Sequence, residues 1–99
     1  MSNQFGISDT DLIKIISTIR TFKEIESVIL FGSRAIGNFK SGSDIDLALY
    51  GKNISQIIFK LSGILENELS LPYQFDLIHI TDNTSSELLE HIKKFGKEL

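Results

Sequence analysis

Apolar residues recur along the chain at two different spacings, one helical and one alternating. Three stretches carry them at every third or fourth position, which predicts amphipathic helices at about residues 9–23, 55–69 and 85–95. Ser8 stands before the first of these helices, and Asp11 follows three residues later, the pattern of an N-cap and a capping-box acid. The chain is therefore predicted to contain three long helices.

Three short apolar stretches between the helices predict β-strands at residues 27–31, 44–50 and 73–80. A short helix is expected at residues 33–37, inside the connection between the first two strands. Because residues 34–43 are too few for a right-handed crossover, we expect those two strands to be antiparallel and the sheet to be mixed. The predicted fold class is α/β (α+β), a small mixed sheet with helices packed on it.

Composition restricts the chain to one small domain. Its 99 residues fit a single domain, residues 1–99, and the absence of cysteine excludes disulfides and thiolate metal sites. A cytoplasmic location is the expectation, because the sequence shows neither a signal-peptide pattern nor an apolar run that spans a bilayer. The formal net charge of -3 argues against strong binding to nucleic acid.

Three aspartates carry the strongest candidate chemistry. Asp44 and Asp46 emerge from one face of the second predicted strand, about 6.5 to 7 Å apart along it. Asp76 opens the third strand and would stand beside the pair if those strands are neighbours. Carboxylates are the ligands that Mg²⁺ prefers, and two such ions can clamp the attacking and leaving oxygens of a phosphoryl transfer. Without cations these acids would repel one another.

A glycine and a serine follow the first predicted strand. Gly32 allows the backbone to turn and a phosphate to approach, and Ser33 would begin a helix whose free N–H groups favour anions. Arg34 adds positive charge next to them. We take Gly32, Ser33, Arg34 and Ser43 as the candidate nucleotide-binding residues.

Each of these features also has an ordinary structural interpretation. A lone Gly-Ser is usually a turn, and a lone Asp-x-Asp is often a solvated strand face; only their coincidence on successive elements favours a site. His79 is interpreted as a structural histidine on the face opposite Asp76, and His91 as a surface or partner-facing residue. The C-terminal lysines Lys93, Lys94 and Lys97 are interpreted as a solvated helix end.

Residues 32–49, "GSRAIGNFKSGSDIDLAL", resemble the signature of the minimal nucleotidyltransferases, in which Gly-Ser is followed by ten residues and Asp-x-Asp. The preceding "VILFGSRA", the later "FDLIHI" and the ending "EHIKKFGKEL" are similar to the same family, so the resemblance covers most of the chain. It implies the palm-like fold of the DNA polymerase beta superfamily. It also implies transfer of a nucleoside monophosphate, usually from ATP, to a hydroxyl acceptor with Mg²⁺, and two ions are expected.

The resemblance assigns roles to individual residues. Asp44 and Asp46 match the metal-binding pair, and Asp76 matches the third carboxylate, which helps to activate the acceptor. Gly32 and Ser33 match the loop that binds the nucleotide phosphates. Small members of the family are commonly encoded with a helical HEPN-domain protein. In characterised toxin–antitoxin pairs they neutralise that ribonuclease toxin by adding AMP to a tyrosine.

The leading hypothesis is therefore an Mg-dependent adenylyltransferase that acts as antitoxin to a HEPN-type toxin, since 99 residues leave no room for an acceptor-binding domain. One alternative is a binding module that blocks its partner by contact, for which an exposed apolar residue such as Ile13 could serve. Another is a transferase for a small molecule or an RNA end, with the acceptor domain supplied by another chain. Homo-oligomerisation is also left open.

Overall fold

Four helices and four strands make up the part of the chain that the computed structural model describes, residues 4–99. A π-helical turn at Ile64–Glu68 continues the third helix. In chain order the elements are α1 Asp9–Ile19, β1 Ile25–Phe31, α2 Ser33–Ile36, β2 Ile45–Gly51, α3 Ile54–Gly63, β3 Phe75–His79, α4 Ser86–Phe95 and β4 Lys97–Glu98.

The four strands form one mixed sheet in the order β3-β2-β1-β4. Both β2 and β4 pair with β1 in antiparallel orientation, whereas β2 and β3 are parallel. The predicted antiparallel pairing of the first two strands and the predicted mixed sheet are thus confirmed. The parallel pair sets Asp46 directly opposite Asp76, so the register itself brings the candidate acids together.

The two faces of the sheet are covered differently. The main core lies under α1 and α3, where Ile15 and Leu61 are completely buried against the strands. A smaller cluster on the other face joins Phe31 and Ala48 to Ile92 of α4. Because strand residues alternate between faces, Ile45, Leu47 and Leu49 of β2 point into the main core. Asp46 lies on the α4 side, next to the less extensively covered part of the sheet.

Side chains explain how the first helix begins and ends. The Ser8 hydroxyl caps α1 by accepting the N–H of Asp11 at 3.1 Å, which confirms the predicted N-cap. The Asp11 carboxylate, however, accepts the Tyr73 hydroxyl at 3.0 Å. The helix ends at Ile19 and not near residue 23, because backbone turns follow and the Thr21 hydroxyl donates to the Thr18 carbonyl at 2.7 Å.

The C-terminal segment differs most from the prediction. Lys97 does not extend a solvated helix end; with Glu98 it forms β4, which pairs with Leu30 and Ile29 of β1. Lys97 and Glu98 are both exposed, and two residues are too few to show a strand pattern in the sequence. Their pairing with β1 therefore depends on the position of the chain at the end of α4. No helix within residues 4–99 is long and apolar enough to cross a membrane.

Candidate active site

The acidic group lies at the start of the parallel strand pair. Asp44 immediately precedes β2, Asp46 is its second residue, and Asp76 is the second residue of β3. Ile45 between the first two is buried in the main core, which sends its neighbours to the opposite face. The hydrophobic pattern of β2 therefore fixes the side of the sheet on which Asp46 is displayed.

Electrostatics at Asp46 are unfavourable to its charged form. Burial raises the pKa of Asp46 above its ordinary value, and repulsion from Asp76 and Asp44 raises it further. The electrostatic interactions with His91 and Arg34 act in the opposite direction without cancelling the rise in the pKa of Asp46. Asp44 and Asp76 are thus close enough to repel the Asp46 carboxylate, and a cation would relieve that repulsion.

The acids are not gathered into a finished metal site. Among the described residues, no group of three or more Asp, Glu or His side chains is arranged to hold a metal ion. The chemistry of the donors nevertheless suits Mg²⁺, since carboxylate oxygens from two paired strands meet on one face. Asp44, Asp46 and Asp76 are the residues that would hold the cation.

Gly32 forms the wall of the site opposite Asp46. Its backbone, at φ 77° and ψ -158°, is in a region that is essentially restricted to glycine. A Cβ atom at this position would overlap the Asp46 carboxylate. The glycine is therefore needed twice, for the turn from β1 into α2 and for the close approach of that carboxylate to the backbone.

His91 contacts this turn, which the sequence did not predict. Its Nε2 atom accepts the Gly32 N–H at 3.0 Å, and its ring packs edge-on against Phe31 and at a tilt against Phe95. The interpretation of His91 as a surface or partner-facing residue is therefore wrong: the side chain is half-buried and fixes the glycine turn. The two residues are 59 positions apart, so no local pattern could have joined them.

Ser33 begins α2, directly after the glycine. The Gly32 carbonyl accepts the N–H groups of Ala35 and Ile36, which closes this short helix. Because His91 already occupies the Gly32 N–H, an incoming phosphate would meet Ser33 first, through its N–H and hydroxyl groups. The predicted contact of Gly32 and Ser33 with nucleotide stays a prediction.

Arg34 points into the protein. Its side chain is 2% exposed, and its guanidinium donates to three backbone carbonyls. The acceptors are Ser43, reached by Nε at 3.2 Å and Nη2 at 2.9 Å, Phe5 at 2.9 Å and Gly6 at 3.2 Å. These are the contacts of a structural cation that ties the N-terminal segment to the loop before β2.

Aromatic rings complete the surroundings of Arg34. Phe39 and Tyr73 lie with their ring centroids 5.2 and 5.3 Å from the guanidinium carbon, within range of cation–π attraction. Ser43, the other predicted nucleotide-binding residue, also stabilises the loop, since its hydroxyl accepts the Lys40 N–H at 2.8 Å. Nucleotide contacts of Arg34 and Ser43 stay predictions, and any effect of Arg34 would act through the loop that it supports.

Solved structures with the same fold come from toxin–antitoxin systems. A mutant of the toxin–antitoxin pair MntA–HpeT is 28% identical, with a TM-score of 0.66 over 89% of this chain and 70% of that chain. A toxin–antitoxin structure with AMP-PNP is 25% identical, with a TM-score of 0.63 over 90% of this chain and 69% of that one.

A third structure contains the tri-AMPylated HEPN toxin of Shewanella oneidensis in complex with its MNT antitoxin. At 24% identity and a TM-score of 0.62, over 90% of this chain and 68% of that one, it supports the fold alone. No curated protein matches the chain by sequence.

The family assignment rests on sequence and fold together. The family model for polymerase beta nucleotidyltransferases matches residues 13–99, which include β1, the glycine turn and all three acids. The mixed sheet with its paired Asp46 and Asp76 is consistent with the palm-like fold that the sequence motif predicted. The chain belongs to the polymerase beta nucleotidyltransferase family and is similar in structure to the MNT antitoxins that pair with HEPN toxins.

Proposed function

We propose that this protein is a cytoplasmic adenylyltransferase that moves AMP from ATP to a tyrosine hydroxyl of a HEPN-type toxin, and so acts as its antitoxin. The observation that carries the proposal is the register of β2 and β3, which places Asp46 beside Asp76 next to the glycine turn. Family membership supports nucleotidyl transfer, the neighbour with AMP-PNP supports a nucleotide substrate, and the neighbouring toxin–antitoxin pair supports a toxin as the partner.

The acids divide the chemistry between them. Asp44 and Asp46 would hold Mg²⁺, with two ions expected, and bound Mg²⁺ supplies neutralisation of the charge that develops on the phosphate oxygens. Asp76 orients the acceptor hydroxyl and takes its proton. The acceptor oxygen forms a bond to the α-phosphorus of ATP while the bond to the bridging oxygen breaks, and pyrophosphate leaves.

The glycine turn supplies the other half of the site. Ser33 offers an N–H and a hydroxyl to the nucleotide phosphates at the beginning of α2. Gly32 lets those phosphates approach the acids, because no side chain stands between the turn and Asp46. Arg34 and Ser43 keep the intervening loop in place through the hydrogen bond between the guanidinium and the Ser43 carbonyl.

Labelled transfer tests the proposal directly. The purified chain is incubated with ATP labelled at the α-phosphate, Mg²⁺ and a HEPN-domain protein of the same organism. We expect the label to appear on the HEPN protein, to disappear with EDTA, and to fall by at least about a hundredfold in Asp46→Asn. Asp82→Asn is the matched control, because Asp82 is an exposed aspartate in the turn after β3.

A second candidate is neutralisation by contact alone, which the lack of a finished metal cluster among the described residues favours. A variant with Asp44, Asp46 and Asp76 all changed to Asn separates the two functions. If wild type transfers no label and this variant still blocks the toxin completely, the protein is a binding module. If the variant loses neutralisation while it still binds the toxin, the transfer reaction is required.

A further inference from the structure

A groove beside the acid site has the properties of a docking surface. It lies between α3 and the outer strand β3 and has a volume of about 290 Å³. Its lining is mainly apolar and consists of Ile58, Phe59, Ser62, Phe75, Asp76 and Leu77. Phe59 is 86% exposed, the most exposed large apolar side chain of the described residues. A ring this size in water is a candidate anchor for a partner.

The groove and the acid site share one residue. Asp76 borders the groove, while strand alternation directs its side chain to the same face as Asp46. Its neighbours Phe75 and Leu77 point to the α3 side and line the groove. Since β3 is the outermost strand on this side of the sheet, a bound segment that crosses its edge arrives at the carboxylates.

The charge of the groove restricts what can occupy it. Asp76 is part of its lining, and Glu66 lies beside it, where its carboxylate accepts the Phe75 N–H at 3.1 Å and the Ser62 hydroxyl at 3.4 Å. None of the lining residues is Lys, Arg or His. An apolar segment with a cationic side chain next to it is therefore complementary, whereas an acidic segment would be repelled.

We propose that this groove docks the acceptor protein: it binds an apolar segment of that protein with a basic residue beside it, and the acceptor hydroxyl then lies at Asp76. The inference rests on the proposed function for the identity of the acceptor, but it assigns a binding surface of its own. It selects the Phe59 groove over Ile13 of α1, which at 65% is the other mostly exposed large apolar side chain within residues 4–99.

Matched substitutions test the surface. Phe59→Ser and Ile13→Ser are compared with wild type for binding to the HEPN-domain protein without ATP, and for transfer with ATP. For Phe59→Ser we expect the Kd and the KM for the acceptor to rise about tenfold or more, with kcat and ATP affinity unchanged. Ile13→Ser should stay within about twofold. Raising the salt concentration should weaken the wild-type complex, because the basic residue faces acids.

The possible failures are distinguishable. Equal effects of Phe59→Ser and Ile13→Ser, or none from Phe59→Ser, would overturn the docking surface while leaving transfer by wild type intact. A salt-independent Kd would overturn its charge preference. A wild-type chain that dimerises alone and becomes monomeric in Phe59→Ser would show that a second copy occupies the groove. If wild type transfers no AMP but Phe59→Ser still weakens binding, the surface stands and the proposed reaction fails. Since Phe59 is exposed, circular dichroism should show both variants folded.

Discussion

Arg34 and Asp46 are two charged side chains on either side of the same loop, and the protein treats them in opposite ways. Arg34 is almost completely buried, yet it has backbone carbonyls as hydrogen-bond acceptors and two aromatic rings beside it. Asp46 is only partly buried, yet burial and repulsion from Asp76 and Asp44 raise its pKa. The charge of Arg34 is compensated by contacts within the fold, whereas the charge of Asp46 would be compensated by a bound cation.

Arg34 and Asp46 are close in sequence, but the contacts of Arg34 stabilise the fold, whereas the charge of Asp46 favours binding of a cation. A buried cation that donates four hydrogen bonds to backbone carbonyls fixes the loop between α2 and β2. A carboxylate with acidic neighbours destabilises the metal-free protein and gains most from a bound cation. The two sites are linked, because the Arg34 charge also lowers the pKa of Asp46 and so partly offsets the repulsion.

The largest expected effect comes from removing the compensated charge. Arg34→Met leaves the carbonyls of Phe5, Gly6 and Ser43 without the donor that now contacts them, inside a site closed by aromatic rings. Because buried polar groups lose water without gaining a partner, we expect unfolding free energy to fall by about 3 kcal/mol. Urea denaturation followed by circular dichroism measures the change.

Arg20→Met is the control for this prediction, since Arg20 is exposed at the end of α1 and the same substitution there should change stability by less than about 0.5 kcal/mol. Equal losses of stability in the two variants would show that the buried hydrogen bonds of Arg34 do not stabilise the fold more than an exposed arginine does. Arg34→Lys should also destabilise, because one ammonium cannot reproduce the forked contacts.

A smaller loss of stability is expected from a substitution at Gly32, in the turn beside Asp46. Gly32→Ala forces a side chain into backbone that is restricted to glycine and pushes a methyl group against the Asp46 carboxylate. We expect a loss of about 2 kcal/mol in thermal or urea denaturation. Transfer to the acceptor should fall as well.

Gly63→Ala provides the opposite expectation. Gly63 has helical dihedral angles at the end of α3, and an added Cβ would meet no atom within 4 Å other than those of its chain neighbours and its own helix backbone. The same substitution should therefore stabilise the protein by about 0.8 kcal/mol, through helix propensity alone. Destabilisation of the same size in both variants would mean that the Gly32 turn does not impose the constraint described above.

Most of the fold and the acids of the site followed from local patterns in the sequence. The alternation in "DIDLALY" was enough to place Asp46 on the strand face opposite Ile45, although Asp44 lies just before the strand, and the short connection was enough to make β1 and β2 antiparallel. Asp76 needed only the further assumption that β2 and β3 are neighbours, which the sheet confirms. These features depend on residues that are close in sequence or on strand order.

What the sequence did not reveal depends on distant partners. His91 and Gly32 are in contact although they are 59 positions apart in the sequence, and the guanidinium of Arg34 reaches the N-terminal segment at Phe5. A basic residue next to a phosphate-loop motif suggested a ligand contact, whereas packing against Tyr73 and Phe39 buries it. The strand β4 is defined by its pairing with β1 and by no pattern of its own.

The smallest expected change in stability is a gain, and it comes from removing the charge of Asp46. Asp46→Asn removes a carboxylate that faces Asp76 across the parallel pair, so the metal-free variant should be more stable than wild type at neutral pH. We expect about 0.5 kcal/mol, since partial exposure screens the repulsion. Urea denaturation in EDTA at pH 7 measures it, with Asp82→Asn as the control that should show no gain.

The pH dependence of that gain identifies its origin. Because the pKa of Asp46 is raised in the folded state, its ionisation destabilises the fold as the pH rises from the unfolded value of about 3.8 through the folded one. Below that window Asp46 is protonated in both states, and the difference between Asp46→Asn and wild type should disappear. A gain that persists at pH 3 would assign the stabilisation to packing. Loss of stability at pH 7 would show that the charged carboxylate is compensated within the fold, as Arg34 is.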